Sequence, residues 1–584
     1  MQHVLSRRIT GVVFAGMLIA AAIAAIAPGH AAASTAKLHY TVHRGTLHYV
    51  GTVSVSAAAR RQQTGAMSIF RQGSSLAIAP TGLHFRTVDQ AIVRHRLTAR
   101  TAVAHASTPV TSGEVAGESG FYALNGEQQA VANGNLDLEP PDQGLCAGGG
   151  YVGEFINNAL TFYDVYGDQL ENTLPSYAFF KQPSTDFFSD PRCYYDAPTK
   201  RWIFIEFIAP IFTSTAPSTQ FIAISNSPDP LGSWTIWSIP TSDNSTTDCP
   251  CFGDFDQLGV DDNGIYISTN EFNNAGTAYN GVIIYAVSKQ TIENFSITGI
   301  PPTFFTYRVP TDAFGQTYHI APSETPPGAA FAPNTEYFVE TNADAFSDTH
   351  LEVYAMTDTS LLAQPAPPAL SNDYITSESY TFPPDATQKA GPIPLGNANQ
   401  DPEGQLEADF DAIQEVTYVH GQVYAEADTA SGTHDGAAWF EITPHVTSTG
   451  LTATVANQGY VTVAGENVIY PVIALNNAGN GYVAFTLSGT NYYPSAAYVP
   501  FTTSSTATGP SGDVYVAARG ADPEDSFTCY AAFVGPNYGG CRWGDYSMGV
   551  AMGSNIYLAT EVVPPTSRDY LTNWGTFVWG APAP

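Results

Sequence analysis

Apolar and polar residues alternate over short stretches along most of the chain, and polar turns separate these stretches. After Asp256 the sequence reads QLGV, the turn DDNG and then IYIS. After Asp411 it reads AIQEVTYV, the turn HG and then QVYAE. Alternation with a period of two, interrupted by Asn, Asp and Gly, predicts β-hairpins. The turn chemistry also explains DDNG better than a calcium-binding EF-hand loop does.

The hairpin pattern recurs seven times along the chain. Related stretches begin at Pro141, Ser189, Gly253, Ala321, Ala408, Tyr470 and Gly544, and the fourth is the weakest. A further strand-like stretch follows most of them, and a repeat of roughly 50 to 75 residues is typical of four-stranded propeller blades. We therefore predict an all-β fold, a seven-bladed β-propeller over residues 138–584. Six or eight blades, or a pair of β-sandwiches, are the alternatives.

The N-terminus has the pattern of a secretion signal. Arg7 and Arg8 precede an apolar run over residues 11–27, and three alanines precede Ser34. We predict a signal peptide at 1–33 and an exported protein, extracellular or periplasmic. The six cysteines favour disulfides in that compartment. Cys529 and Cys541 flank a short Gly-rich segment, and we predict a bridge between them.

Charge divides the mature chain into two unequal parts. Residues 34–110 hold nine Lys and Arg, six His and one acid, whereas the whole chain has a net charge of −32. We predict a basic N-terminal segment at 34–110 and a linker at 111–137. The segment is either a small domain packed on the body or a propeptide that charge attracts and that acid and salt release. The scarcity of lysine in the acidic body favours an acidic medium.

The same charge pattern excludes two classes of partner. Phosphate binding depends on Lys and Arg, so we expect no nucleic-acid partner. Beyond the signal, no apolar run is long enough to span a bilayer, so we expect no membrane insertion. A carbohydrate or other extracellular polymer is the expected partner, and the oligomeric state is left open.

Acidic residues recur at or near the start of the predicted first strand in five of the seven repeats. In a propeller these positions meet at one mouth of the central channel. The predicted catalytic carboxyl groups are Asp142, Asp190, Asp256, Asp411 and Asp545. The alternative is that each Asp accepts hydrogen bonds from loop N–H groups.

Five further residues are predicted to bind substrate. Asp254 and Asp409 share a strand face with their i+2 partners, and Arg192, Arg542 and Trp543 lie next to the acidic positions. The arginines would clamp a carboxylate or acidic sugar. A local ion pair between Asp and Arg is the alternative.

Two stretches resemble known propeller families. The stretch SNSPDPLGSW from Ser225 resembles the Ser-x-Asp-x-Gly-x-x-Trp turn of sialidase-type propellers and the blade ends of arabinan- and xylan-cleaving propeller glycosidases, although Leu231 interrupts the strict pattern. The stretches SDPRCYYDAPTKRW and RWGDYS are similar to exported bacterial propellers of unassigned activity. Both resemblances imply a fold rather than a function.

Three functions are compatible with these observations. The first is a glycoside hydrolase in which two ring carboxyl groups act as acid and as base or nucleophile. The second is a non-catalytic propeller that binds a polymer or a cell-surface ligand. The third is an acid-activated peptidase, although no nucleophile motif is recognisable. No cofactor is expected, or else calcium held by carboxylate oxygens.

Overall fold

The computed structural model describes most of the chain after residue 37. It describes residues 38–584 apart from 62–76, 79–101, 112, 135, 210–217, 243–248, 275–277, 344, 409, 504–507, 536–539, 567 and 569–570. The predicted signal peptide, much of the basic segment and Asp409 therefore lie outside the described residues. Among the described residues, no helix is long and apolar enough to cross a membrane.

Short β-strands rich in Val, Ile, Tyr and Phe make up most of the described chain. The first seventeen strands are β1 (His39–Thr46), β2 (His48–Ser54), β3 (Ala77–Ile78), β4 (Ser119–Asn125), β5 (Leu136–Asp137), β6 (Gly144–Gly148), β7 (Tyr151–Ile156), β8 (Ala159–Asp164), β9 (Leu174–Pro175), β10 (Phe187–Asp196), β11 (Arg201–Ala209), β12 (Thr219–Ser225), β13 (Ser233–Pro240), β14 (Cys251–Val260), β15 (Gly264–Asn273), β16 (Tyr279–Ser288) and β17 (Thr303–Thr311). The remaining strands are β18 (Ala321–Glu324), β19 (Thr335–Thr341), β20 (Ser347–Thr357), β21 (Ala369–Thr381), β22 (Ile413–Val419), β23 (Gln422–Ser431), β24 (His434–Thr447), β25 (Gly450–Val461), β26 (Glu466–Leu475), β27 (Gly481–Gly489), β28 (Ser495–Thr503), β29 (Thr508–Pro510), β30 (Tyr515–Ala518), β31 (Met548–Met552), β32 (Asn555–Val562) and β33 (Gly575–Pro582). The all-β prediction is confirmed.

Helices are short and lie between the strands. The α-helices are Gly126–Ala132, Ser176–Phe179, Lys289–Glu293, Phe295–Thr298, Pro394–Asn399 and Ala531–Val534, and the 3₁₀ turns are Thr359–Ala363 and Phe527–Cys529. Residues 55–61 are also helical.

By their antiparallel pairs, the described strands form seven groups, which we call sheets 1 to 7 in chain order. Their consecutive strands are β6–β9, β10–β13, β14–β17, β18–β21, β22–β25, β26–β30 and β31–β33. Parallel pairs between β14, β18 and β22 join sheets 3, 4 and 5, and the short strands β3 and β5 form a separate parallel pair. The first strands, β6, β10, β14, β18, β22, β26 and β31, each contact the next one, and β31 contacts β6. The first strands thus form a closed ring around a central axis, which is the radial arrangement of propellers.

N-terminal strands complete three of these sheets. Strand β4 pairs with β33 of sheet 7, β2 with β13 of sheet 2, and β1 with β17 of sheet 3. The predicted linker at 111–137 therefore supplies the outer strand β4. The basic segment is also joined to the sheets, because Leu47, Val53 and Val55 are buried in their cores.

The way the N-terminal strands are held bears on the two interpretations of the basic segment. Backbone pairing and apolar burial are less sensitive to salt than exposed ion pairs are. We expect that residues 34–110, expressed separately, bind the remaining chain with an affinity that changes less than about tenfold between low and high salt. Calorimetry at two salt concentrations and from pH 3 to 8 measures this. Release that follows salt and acid would instead support the electrostatic propeptide.

Local turns agree with their sequence signals. In the DDNG turn, the Asp261 carboxylate accepts hydrogen bonds from the N–H groups of Asn263 at 2.7 Å and Gly264 at 2.6 Å. In the sialidase-like stretch, buried Trp234 donates from its indole nitrogen to the carbonyl of Pro230 at 2.7 Å. The bridge between Cys529 and Cys541 is present, together with Cys146–Cys193 and Cys249–Cys251.

Candidate functional site: the axial carboxyl groups

Three of the predicted catalytic carboxyl groups meet at one end of the central axis. Asp142 lies just before β6, Asp190 lies in β10, and Asp545 lies just before β31. Each offers a carboxylate oxygen within 4.8 Å of the others, and all three side chains are buried. The structure thus brings together three of the five predicted residues. We call Asp142, Asp190 and Asp545 the axial triad.

Hydrogen bonds tie the axial triad to neighbouring sheets. Asp142 accepts from the N–H of Asp545 at 2.9 Å and from the amide of Asn157 at 2.7 Å. Asp190 accepts from the N–H of Phe255 at 2.9 Å, while its own N–H donates to Asn157 at 2.9 Å. These bonds run from sheet 7 through sheets 1 and 2 to sheet 3, so they stabilise the ring.

Hydrogen bonds from a backbone N–H to an Asp or Asn side chain of a neighbouring sheet recur farther around the ring. The N–H of His319 donates to the Asn270 side chain at 3.0 Å, and the N–H of Tyr470 donates to the Asp428 carboxylate at 2.9 Å. We call each contact between an Asp or Asn side-chain oxygen and the N–H of a neighbouring first strand an inter-sheet staple. The residues that donate in four of these staples all have left-handed backbones, with φ between 53° and 63°: Asp190, Phe255, His319 and Tyr470. Asp and Asn tolerate this region better than bulky residues do, so the staples hold Phe255 and Tyr470 in an unfavourable conformation.

The remaining predicted acids occupy separate places. Asp256 in β14 is buried and accepts from the Gln220 amide at 2.8 Å, and burial together with the charge of Asp190 raises its pKa well above the usual range. Asp411 precedes β22 and is buried. Burial raises its pKa well above the usual range, and the negative charge of Asp348 raises it further. Asp254 is buried in β14. The structure therefore places Asp256 beside the axial triad and Asp411 in a different environment.

The two predicted substrate-binding arginines are also buried. The guanidinium carbon of Arg192 lies 3.4 Å from the centre of the Tyr546 ring. The positive charge of Arg192 also lowers the pKa values of three nearby acids, although burial raises them by more: Asp256, Glu324 and Glu415. Arg542 forms ion pairs at 3.1 Å with both Glu407 and Asp545. The Arg542–Asp545 contact is the local ion pair that the sequence left as the alternative.

Trp543 is buried as well. Its indole nitrogen donates to the Thr486 hydroxyl at 3.1 Å, and only 1% of the residue is exposed. This contact joins sheet 6 to the segment before β31. A structural role accounts for the tryptophan.

Aromatic rings pack at the same end of the axis as the acids. Phe255 lies 4.4 Å from His319, 6.3 Å from Phe410 and 6.2 Å from Tyr546, measured between ring centres. Phe255 and Phe410 are the central residues of the two Asp-Phe-Asp stretches. The prediction from the sequence named only the acids of that motif, although the repeated Phe is itself a signal of a shared buried position.

A second set of buried acids was not predicted. Each lies on the second strand of a sheet and accepts a hydrogen bond from a backbone N–H: Glu154 from Leu124 at 2.9 Å, Glu206 from Asn158 at 3.2 Å, Glu340 from Tyr318 at 2.8 Å, and Glu561 from Gly544. Burial raises the pKa of Glu154 to about 7 and those of the other three well above the usual range. A single Glu inside an apolar strand, as in VGEFI and FIEFI, is the sequence signal that marks them.

Comparison with known proteins gives weak similarities only. No protein-family model matches the chain, and no curated protein matches it. Among solved structures, it is similar to an exo-β-1,3-galactanase from Clostridium thermocellum, with 9% identity, TM-score 0.28, and coverage of 75% of this chain and 93% of that chain. It is also similar to a mutant α-L-arabinanase from Cellvibrio cellulosa, with 11% identity, TM-score 0.25, and coverage of 55% and 95%. A third match is the Dos1 propeller, with 7% identity, TM-score 0.34, and coverage of 78% and 81%. At such low TM-scores we base no conclusion about activity on these matches.

Proposed function

We propose that this protein is an exported, seven-bladed β-propeller that works in an acidic medium and binds a carbohydrate or similar polymer without cleaving it. Each of sheets 1 to 7 is taken as one blade. The observation that carries the non-catalytic role is the state of the predicted catalytic acids: all five are at most 1% exposed. A general acid must reach the proton it transfers.

The hydrogen bonds of the acids support the same proposal. Asp142 and Asp190 each accept from the backbone of another sheet, and the rings of Phe255, Phe410 and Tyr546 pack at that end of the axis. In this proposal these side chains hold the ring together and do not act as nucleophiles. The axial triad therefore has a structural role in this proposal.

An acidic medium is supported by the buried acids of the sheets. Burial raises the pKa of Glu154 to about 7 and those of Glu352 and Glu415 to about 8. Below these values the buried carboxyl groups are neutral, so their burial carries little electrostatic penalty. The protein is thus adapted to a pH at which its interior carries few charges.

A glycoside hydrolase is the second candidate, favoured by the short distance between the carboxyl groups of the axial triad. Carboxyl oxygens within 4.8 Å approach the separation of roughly 5 to 5.5 Å found in retaining glycosidases. In that case Asp190 would act directly on the sugar.

A hydrolysis screen separates the two candidates. We expect no hydrolysis of galactan, arabinan, xylan, β-glucan or peptide substrates from pH 2 to 7 that depends on Asp190 or Asp256. The screen compares wild-type protein with Asp190→Asn and Asp256→Asn, and folding is verified by thermal unfolding. Hydrolysis by the wild-type protein that both variants lose would establish the glycosidase instead.

Calcium binding by the axial triad is a separate hypothesis. Among the described residues, only this group brings three carboxylate ligands within reach of one ion. Carboxylate oxygens are ligands that calcium prefers. The N–H and amide donors already bound by Asp142 and Asp190 would have to share these oxygens with the ion.

A further inference from the structure

A cleft of about 630 Å³ lies on the outer side of sheets 2 and 3, away from the axial triad. Strand β13 forms one side, and the helices Lys289–Glu293 and Phe295–Thr298 form another. Strand β2, which pairs with β13, completes the cleft. Its volume falls within the range of small-molecule sites, roughly 300 to 1,000 Å³.

Three aromatic rings form one wall of this cleft. The ring of Tyr49 lies 5.3 Å from that of Trp237 and 5.3 Å from that of Phe295, and Trp237 and Phe295 are 4.5 Å apart. Trp237 is buried, whereas Tyr49 is 50% exposed. The buried ring of Trp237 and the partly buried ring of Phe295 therefore support a tyrosine whose ring remains accessible to a ligand. Amphipathic rings of this kind are enriched where one side of a contact is apolar and the other is wet.

The polar groups of the cleft are mixed in character. Asn226 and Thr235 line it and are joined by a hydrogen bond of 2.8 Å. The exposed Thr52 contributes a hydroxyl, and Arg201 and Glu293 contribute one positive and one negative charge. Donors and acceptors are both present, and the two charges balance. This balance is notable in a chain with a net charge of −32.

We propose that this cleft binds a neutral oligosaccharide segment, with a sugar ring stacked on Tyr49. Sugar hydroxyls both donate and accept hydrogen bonds, which matches the mixed polar wall. The C–H face of a sugar ring is apolar and fits the tyrosine face. A polyanion would be repelled by Glu293 and a polycation by Arg201, so the pair favours neither charged polymer over a neutral one. The inference rests on the proposed carbohydrate-binding function and names its site.

The N-terminal segment is then part of the binding site. Tyr49 and Thr52 both lie on β2. Loss of β2 would remove the exposed ring and one hydroxyl from the cleft. In this arrangement the segment contributes to ligand binding instead of blocking a site.

The test uses the full-length exported chain and a matched pair of tyrosine variants. Binding to immobilised galactan, arabinan, xylan and β-glucan is measured at pH 4 and at pH 7, with polygalacturonan as an anionic probe. Tyr49→Ala removes the ring from the cleft, and Tyr166→Ala removes an 86% exposed tyrosine from the turn after β8. We expect Tyr49→Ala to weaken binding by about tenfold, Tyr49→Phe to retain it, and Tyr166→Ala to bind as the wild type does.

A second variant guards against a folding defect in Tyr49→Ala. Glu293 is exposed at the end of its helix, so Glu293→Gln should fold normally. Burial raises the pKa of this carboxyl, so at pH 4 it carries little charge, and we expect the variant to weaken binding at pH 7 by at least about threefold. If the wild-type protein binds none of the polymers, the proposed function itself fails. If it binds a neutral polymer and both cleft variants bind equally well, only the cleft assignment fails. Equal loss in Tyr166→Ala, or preference for polygalacturonan, would also overturn the assignment.

Discussion

The free energy of unfolding is expected to be highest near pH 4 and to fall as the pH rises to 8. Burial raises the pKa of Glu154 and of Glu524 to about 7, and those of Glu352 and Glu415 to about 8. Unfolded glutamates ionise near 4.3. Between these values the folded state binds more protons than the unfolded state, so stability decreases with pH. Each such group lowers stability by about 1.4 kcal/mol per pH unit until its folded pKa is passed.

Glu154→Gln tests this expectation at a single group. The glutamine oxygen can still accept from the N–H of Leu124. Its amide nitrogen replaces the carboxyl oxygen that now contacts the Thr576 hydroxyl, and this hydroxyl, which can donate to the carbonyl of Leu124, can accept from the amide. We expect the variant to match wild-type stability at pH 4 and to exceed it at pH 8 by about 3 kcal/mol, because the ionisation penalty is gone. Chemical denaturation at a series of pH values measures both.

Two results decide the outcome of that experiment. Glu114→Gln, at an exposed position, serves as the control and should change stability by less than about 0.5 kcal/mol at either pH. Wild-type stability that rises from pH 4 to 8 would contradict the acid adaptation. Equal pH dependence in Glu154→Gln and wild type would show that Glu154 does not carry it.

Asp190→Ala is expected to destabilise the fold strongly, while Asp190→Asn is expected to be nearly neutral. Alanine leaves the N–H of Phe255 without its side-chain acceptor and occupies a backbone with φ of 56°. An unsatisfied buried donor costs about 1–3 kcal/mol and the left-handed backbone about 1 kcal/mol more. Asparagine tolerates that backbone and keeps an acceptor oxygen. By denaturation at pH 4, we expect the free energy of unfolding to fall by about 3 kcal/mol in Asp190→Ala and by less than about 1 kcal/mol in Asp190→Asn.

The comparison separates a staple from a catalytic carboxylate. A staple needs an oxygen at residue 190, whereas general acid or base catalysis needs an ionisable group. Equal destabilisation by Ala and Asn would show that the charge of Asp190 holds the ring. An alanine variant as stable as wild type would remove the staple interpretation altogether.

Much of the architecture was predictable because it depends on local patterns. Period-two alternation and Asp, Asn and Gly turns predicted the hairpins, and the DDNG turn forms as an Asp-capped turn should. The repetition of hairpins predicted the radial arrangement, and the short Gly-rich spacing predicted the Cys529–Cys541 bridge. The strand partners of β2, which carries Tyr49, and of β4 were not predictable, because both strands pair with strands far away in sequence.

By itself, the sequence determined the strand periodicity, the repeated acidic positions and the excess of negative charge, which are local or additive properties of the chain. Only the tertiary structure decided what the repeated aspartates do. Their role depends on burial and on partners in other sheets: Asp190 faces the N–H of Phe255, and Asp142 faces that of Asp545, 403 residues away. Burial also raises the pKa values of interior acids such as Glu154, Glu206 and Glu340, because removing a carboxylate from water disfavours its charged form. Neither the desolvation nor the long-range donors can be read from spacing along the chain.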